Sequence, residues 1–318
     1  MKTGKKIGLA LGGGGARALA HIGVLKFFSE NRIPIHAIAG TSMGALIGAV
    51  YAAGLPVEQM VEIANNTDWK LTAKMMMPTL ARTGFIEGTR IQEFIKTLVG
   101  DLNIDDLKIP FAAVATDVMT GEEIIIQQGS LTKAVRASIS IPAIFTPFCY
   151  RNKFLVDGGL VNPVPTNVVR NMRVDIVIAV NVTHIIQPRV KKIKLKNEQK
   201  ELPEEPAINS NILNRYLSKY IQEKIDKLAF RITSNEKDKI QQSKKLPGPN
   251  IIDTILQTVH IMENEILQLK LQQSPPDVLI EPIVDFVSLL EFHKAKELIW
   301  AGEVAAAENM TLIEKLLK

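Results

Sequence analysis

A single cysteine, Cys149, stands among 318 residues, so no internal disulfide can form. That scarcity points to a reducing, cytoplasmic compartment. The expected role of Cys149 is that of a small buried hydrophobe. No apolar run reaches the roughly 18 residues that a spanning helix needs. The N-terminal lysines followed by Ile7–Leu11 imitate a signal peptide, but four glycines and Arg17 interrupt the pattern. No small-residue cleavage site closes it, and a first strand is expected instead. The five histidines (His21, His36, His184, His260 and His293) are dispersed. They form no metal-ligand cluster, and there is no internal repeat; neither a metal nor a cofactor is expected.

What is present is ordinary for a globular α/β protein: 46% hydrophobic and 22% charged residues. The length allows one large domain, or a domain with an appendage. The net charge of +5 is unevenly spread. Between Arg189 and Lys245 fifteen Lys/Arg face eight Asp/Glu, an excess of seven, so the remainder of the chain is about two units negative. Such a segment points to an anionic partner, a membrane face or an acidic ligand. A nucleic-acid partner is not expected.

The chain is organised around Gly40-Thr41-Ser42-Met43-Gly44, a G-x-S-x-G pentapeptide. Ile35–Ala39 before it reads as a buried strand, and Ala45–Ala53 after it as a helix ending at Gly54. Strand, sharp turn and helix is the setting of a nucleophile elbow, with Gly40 and Gly44 where a Cβ would collide. The same pattern also describes a plain strand–helix turn. Upstream, Ile7–Leu11 runs into Gly12-Gly13-Gly14-Gly15-Ala16-Arg17-Ala18 and a helix. Two chemistries use such a loop. Dinucleotide binding fits G-x-G-x-x-G/A, but the acidic residue expected at the end of the second strand is missing. An oxyanion hole fits as well, with amides of Gly13, Gly14 and Gly15 as donors and Gly14 and Gly15 preferred. Arg17 is read as supporting the loop, as meeting a lipid phosphate, or as one half of a surface ion pair.

Helices are expected over 57–68 and from Thr89 to Val99. Between them, Met75-Met76-Met77-Pro78 reads as a lipid-facing lid or as a soft patch of core. Strands follow at Phe111–Thr116, Glu123–Gln127 and Phe154–Val156, with a helix from Leu131 to Ser138 between the last two. Then come Asp157-Gly158-Gly159, Asn162–Pro165, a further helix, and the strand Ile176–Asn181. A stripe of Leu213, Leu217, Tyr220, Ile221 and Leu228 backed by Arg215, Lys219 and Lys224 marks an amphipathic helix. It suits packing on a core as well as a membrane surface. Gly248 between two prolines marks a hinge into a helix over about 251–271. A strand at Val278–Ile280 and helices near 288–300 and 303–317 close the chain.

The glycine loop with its arginine, the early G-x-S-x-G, and the D-G-G more than a hundred residues later together resemble the patatin-like phospholipases. Ala134–Pro142 and Asn162–Pro165 look like that family's connecting blocks; Ala18 departs from it, standing where the family usually has glycine. The resemblance implies a three-layer α/β hydrolase fold with a mostly parallel sheet. It assigns 5–183 to the catalytic core, 184–250 to a basic insertion, and 251–318 to C-terminal elements completing the same domain. It further implies a Ser–Asp dyad without histidine, with Ser42 as nucleophile and Asp157 as base. Gly158 and Gly159 would support the Asp157 loop, and the substrate would be a lipid or acyl ester. Three readings compete with this one. They are a Ser-His-Asp esterase using His184, a nicotinamide or flavin protein using the glycine loop, and a non-catalytic scaffold docking on membranes through 189–245.

Overall fold

The computed structural model describes residues 4–66, 89–183 and 251–318. Five strands of near-continuous apolar sequence form its centre: β1 (Ile7–Leu11), β2 (Ala37–Thr41), β3 (Phe111–Asp117), β7 (Ile176–Val180) and β8 (Val278–Ile280). All five are parallel in the order β3-β2-β1-β7-β8. Runs such as Ile-Val-Ile-Ala-Val suit strands covered on both faces. Beyond β3 the sheet changes character. β6 (Lys153–Asp157) and β4 (Glu123–Ile126) both pair antiparallel with β3, and β5 (Phe148–Tyr150) pairs antiparallel with β6. The mostly parallel sheet thus carries an antiparallel end; its β3–β4 and β5–β6 pairs are joined by short hairpins, which cannot return a strand in parallel.

Side-chain alternation along the strands divides the interior in two. Ile7, Leu9, Leu11 and Ile38 join the larger core, under α1 (Ala20–Glu30), α2 (Met43–Ala52), α3 (Val57–Asn66), α4 (Thr89–Val99) and α5 (Leu131–Ser138). Ala10, Ala39, Ala112 and Ala179 point to the other face. There, small side chains let α6 (Thr166–Arg170) and α7 (Ile251–Gln273) approach, with Val168, Val169 and Leu267 filling the layer. On the outer side of the larger core, α1 packs against α8 (Ala295–Glu308), and α9 (Met310–Leu317) ends the chain.

The segment before α1 is a 3-10 turn, Gly15–Leu19, rather than the start of an α-helix, and Ala18 within it is fully buried. The two closing helices expected near 288–300 and 303–317 are present but shifted along the chain: a short 3-10 turn at Phe292–Lys294 leads into α8, and α9 begins at Met310. Cys149 is exposed, contrary to its expected burial, because β5 is a three-residue edge strand that turns its central side chain to solvent. The chain divides into two compact units, Met1–His184 with Val259–Lys318, and Ile185–Thr258. Of the second, the described part is the helical stretch 251–258. The methionine-rich segment, the basic segment 189–245, its amphipathic helix and His184 lie outside the described residues. Among the described residues no helix is long and apolar enough to cross a membrane.

Candidate active site

Sheet register brings the chemistry together. Leu11 pairs with Gly40, Thr41 with Val114, and Ala115 with Asp157. Two steps beyond Leu11 and one step beyond Thr41, Gly13 and Ser42 therefore fall on the row of Ala115 and Asp157. Because β6 runs against β3, its C-terminal residue arrives beside the middle of that strand, level with the elbow after β2.

Ser42 sits between β2 and α2 with φ 55 and ψ −128, a conformation an L-residue adopts only when its surroundings hold it there. Three neighbours do so. The Ser42 N–H donates to Ser138 Oγ at 2.9 Å, and Ser138 Oγ donates to the Val114 carbonyl at 2.5 Å. Thr41 Oγ1 donates to the Asn162 carbonyl at 2.8 Å. Gly44 lies so close to β1 that a Cβ would strike the Leu11 carbonyl and come within 2.5 Å of the Gly12 oxygen. A Cβ on Gly40 would meet Ala45 Cα at 2.5 Å, so both flanking glycines are required by space.

The Ser42 hydroxyl donates to Asp157 Oδ2 at 2.5 Å. Both side chains are buried, at 5% and 4% exposure. Asp157 is fixed at each end. Its N–H donates to the Ser140 carbonyl at 3.0 Å, its carbonyl accepts from Thr116 Oγ1 at 2.8 Å, and its Oδ1 accepts the Gly159 N–H at 2.8 Å. Gly158 packs against the Val114 carbonyl, and a Cβ on Gly159 would come within 2.5 Å of Glu263 Oε1 from α7. Burial foremost, and the Glu263 charge second, push the Asp157 carboxyl up to about 7, against the opposing hydrogen bonds from Ser42 and Gly159. A carboxylate is thereby given the basicity usual for histidine. Among the described residues Ser42 Oγ has Asp157 as its hydrogen-bond partner.

The glycine loop borders this pair. The Gly12 N–H donates to Val180 O at 3.1 Å and that of Gly13 to Pro163 O at 3.0 Å. Of the three amides expected to face an oxyanion, that of Gly13 is therefore already engaged. Those of Gly14 and Gly15 have no acceptor among the described residues. Gly15 has φ 58, and a Cβ there would run into Leu289, with Cδ1 only 2.6 Å away. Arg17 is not a surface ion pair. It is 7% exposed and its Nε donates to the Val287 carbonyl at 2.7 Å. With Ala16 N–H donating to Leu289 O at 2.8 Å, it ties the loop to the strap between β8 and α8. Burial lowers its pKa, opposed by the charges of Asp285 and Glu291.

Ser42 opens into a cavity of about 150 Å³ whose other lining residues are apolar except for glycine. Leu46, Ile47 and Val50 of α2, Met60 of α3, Phe94 and Leu98 of α4, and Leu289 of the strap are among them. An apolar space between helices, with one hydroxyl at its wall, suits a hydrocarbon chain ending in a carbonyl.

Comparison with known proteins now adds to this geometry. A profile of the patatin-like phospholipases matches residues 9–170, just over half the chain. The chain belongs to the patatin-like phospholipase family. It is accordingly a lipid ester hydrolase, and the match spans the glycine loop, the elbow and D-G-G alike. An NTE family protein of Mycobacterium tuberculosis is 28% identical over 333 residues, covering 97% of this chain and 92% of its own length. Neuropathy target esterase sws of Drosophila melanogaster is 36% identical over 185 residues, 57% of this chain and 13% of that much longer protein. Among solved structures, VipD from Legionella pneumophila aligns over 83% of this chain and 67% of its own, at 13% identity and a TM-score of 0.39.

In this patatin-like chain several supporting residues carry no sign in the sequence that names their role. Ser138 and Ser140 lie in the stretch Ala134–Pro142, whose sequence shows a family likeness but not their roles. Arg136 is buried, donates to Ser140 Oγ at 2.6 Å and lies 5.4 Å from the ring centres of both Phe145 and Phe148. It steadies the residue whose carbonyl holds Asp157; burial lowers its pKa to about 10. Glu263, over a hundred residues from Asp157, had no signal at all.

Proposed function

We propose that this chain hydrolyses carboxylic esters of lipids through a Ser–Asp dyad, with the acyl chain in the apolar cavity. The observation that carries the reading is the 2.5 Å contact between Ser42 Oγ and Asp157 Oδ2 beside that cavity. Asp157 takes the proton as Ser42 Oγ bonds to the ester carbonyl carbon. The carbonyl oxygen becomes an oxyanion, which the N–H groups of Gly14 and Gly15 receive near the start of the turn at Gly15–Leu19. Collapse breaks the bond to the leaving alcohol, and Asp157 returns the proton to the departing oxygen. Asp157 then deprotonates a water that attacks the acyl-serine. A second tetrahedral state releases the fatty acid and restores Ser42.

Only an ionised Asp157 can accept the first proton, so turnover rises with pH through the neutral range. Loop-supporting roles fall to Arg17, Gly40, Gly44, Gly158 and Gly159. The excess of seven positive charges in 189–245 supports contact with an anionic membrane face, where such substrates reside. The test is turnover of p-nitrophenyl esters and phospholipid vesicles by the purified protein beside Ser42→Ala and Asp157→Asn. Both variants are expected to stay folded and lose turnover. Near-normal activity in either refutes the dyad.

A further inference from the structure

The dyad explains Ser42 and Asp157 but leaves a fully buried histidine unused. His21, in the first turn of α1, is 0% exposed, and its Nε2 lies 2.8 Å from the Gly12 carbonyl oxygen. A carbonyl only accepts, so Nε2 carries the proton. Nδ1 is then a bare acceptor, buried and without a partner among the described residues. A residue kept only to fill space would not leave a polar atom unsatisfied where leucine could stand.

What the histidine holds is informative. The Gly12 C=O and the Gly13 N–H belong to one peptide unit. The C=O accepts from His21 and the N–H donates to Pro163 O at 3.0 Å. That peptide plane is pinned at both edges, from α1 on one side and from the loop after D-G-G on the other. Restraint is needed here because four consecutive glycines have no side chains to limit φ and ψ. Rotation of the Gly12–Gly13 unit would re-aim the next two amides, those without acceptors among the described residues, and turn a carbonyl toward developing negative charge.

We infer that His21 is a positioning residue for the oxyanion hole, holding the Gly12–Gly13 peptide so that the Gly14 and Gly15 N–H groups face the tetrahedral intermediate. The inference rests on the dyad reading above and goes beyond it. Burial keeps the imidazole neutral, with its pKa lowered to about 4, so the restraint persists over the range in which Asp157 works.

The experiment measures kcat and KM with p-nitrophenyl butyrate for the wild type, Ser42→Ala, His21→Leu, His21→Gln and His21→Asn. Active enzyme is counted by endpoint titration of Ser42 with a fluorophosphonate. His21→Leu removes the donor at similar volume. It is expected to lower kcat per titrated site roughly 10- to 100-fold, somewhat less than the loss of an oxyanion donor itself, with KM little changed. Glutamine places an N–H near the Nε2 position and is expected to recover most of that loss, whereas the shorter asparagine recovers none. Should His21→Leu fail to fold, the glutamine and asparagine pair decides alone. Equal kcat for those two variants, or wild-type kcat per site in His21→Leu, overturns the inference while leaving the dyad standing. Turnover that survives Ser42→Ala overturns the dyad reading and this inference with it.

Discussion

Replacing Asp157 by asparagine should make the protein inactive and, above neutral pH, more stable. Asparagine is nearly isosteric, its Oδ1 can still accept the Gly159 N–H, and its amide can meet Ser42 Oγ. What disappears is a buried group whose carboxyl pKa is raised from 3.8 to about 7. The sign follows from proton counting. Between those two values the folded chain holds one more proton than the unfolded chain at this residue. Stability is therefore lost as pH rises, and the loss is complete once the folded group ionises. At about 1.4 kcal/mol per unit, the interval from 3.8 to about 7 amounts to about 4 kcal/mol. For a domain of this size that is roughly 8 °C in melting temperature. The assay is thermal unfolding of wild type and Asp157→Asn at several pH values from 4 to 8.5. The two should nearly coincide at the acid end, with the wild type falling progressively behind until it levels off above neutrality. Parallel curves across the range would mean that Asp157 ionises in the folded protein as it does in water, and the account of its basicity would be wrong.

Removing the second charge at the site should move the pH–rate profile. Glu263→Gln takes away a carboxylate whose field raises the Asp157 pKa, so the acid limb of kcat/KM should shift to lower pH; an unmoved limb refutes the coupling, and His260, 3.9 Å from Glu263, is the neighbour to check with it. Ser138→Ala removes the acceptor of the Ser42 N–H and the donor to Val114 O. It should cost about 1–3 kcal/mol in denaturant unfolding and lower turnover, since the strained elbow loses its anchor. Ile47→Phe narrows the cavity beside α2 and should shift the preferred p-nitrophenyl ester to a shorter acyl chain; an unchanged chain-length profile would place the acyl group elsewhere.

Much of the site was legible because it is written in contiguous residues. The elbow needs glycines at 40 and 44 for reasons of space, and a strand and a helix flank the pentapeptide as expected, though they run closer to it, at Ala37–Thr41 and Met43–Ala52, than the apolar pattern indicates. The antiparallel end of the sheet was not legible, because an apolar run such as Phe154–Val156 has the same composition whichever way it points. That direction matters, since it sets Asp157 beside Ala115, level with Ser42. Arg17 was ambiguous for a related reason. A charge beside a glycine loop looks solvent-facing until the strap from 285 to 291 is seen to cover it. Ser138, Glu263 and His21 act across 96, 106 and 9 residues of chain, respectively, and no local pattern encodes such pairings.

The absence of histidine from the proposed dyad and the apolar character of the pocket have a common physical origin. In water a carboxylate near 4 is too weakly basic to draw a proton from a serine hydroxyl, and enzymes ordinarily interpose an imidazole. Here burial raises the Asp157 carboxyl to about 7, which would suit it to the proposed role of base. The environment that shelters Asp157 adjoins the apolar cavity proposed to take the acyl chain, and Ser42 stands at the boundary of both. Opening the site to water would lower the pKa of the base and weaken acyl binding in the same step. A polar substitution in the cavity wall, such as Leu46→Asn, should then do more than raise KM for long esters: by admitting water it should also move the acid limb of kcat/KM downward. If KM rises and the limb stays, Asp157 owes its basicity to its immediate contacts alone and not to the dryness of the pocket.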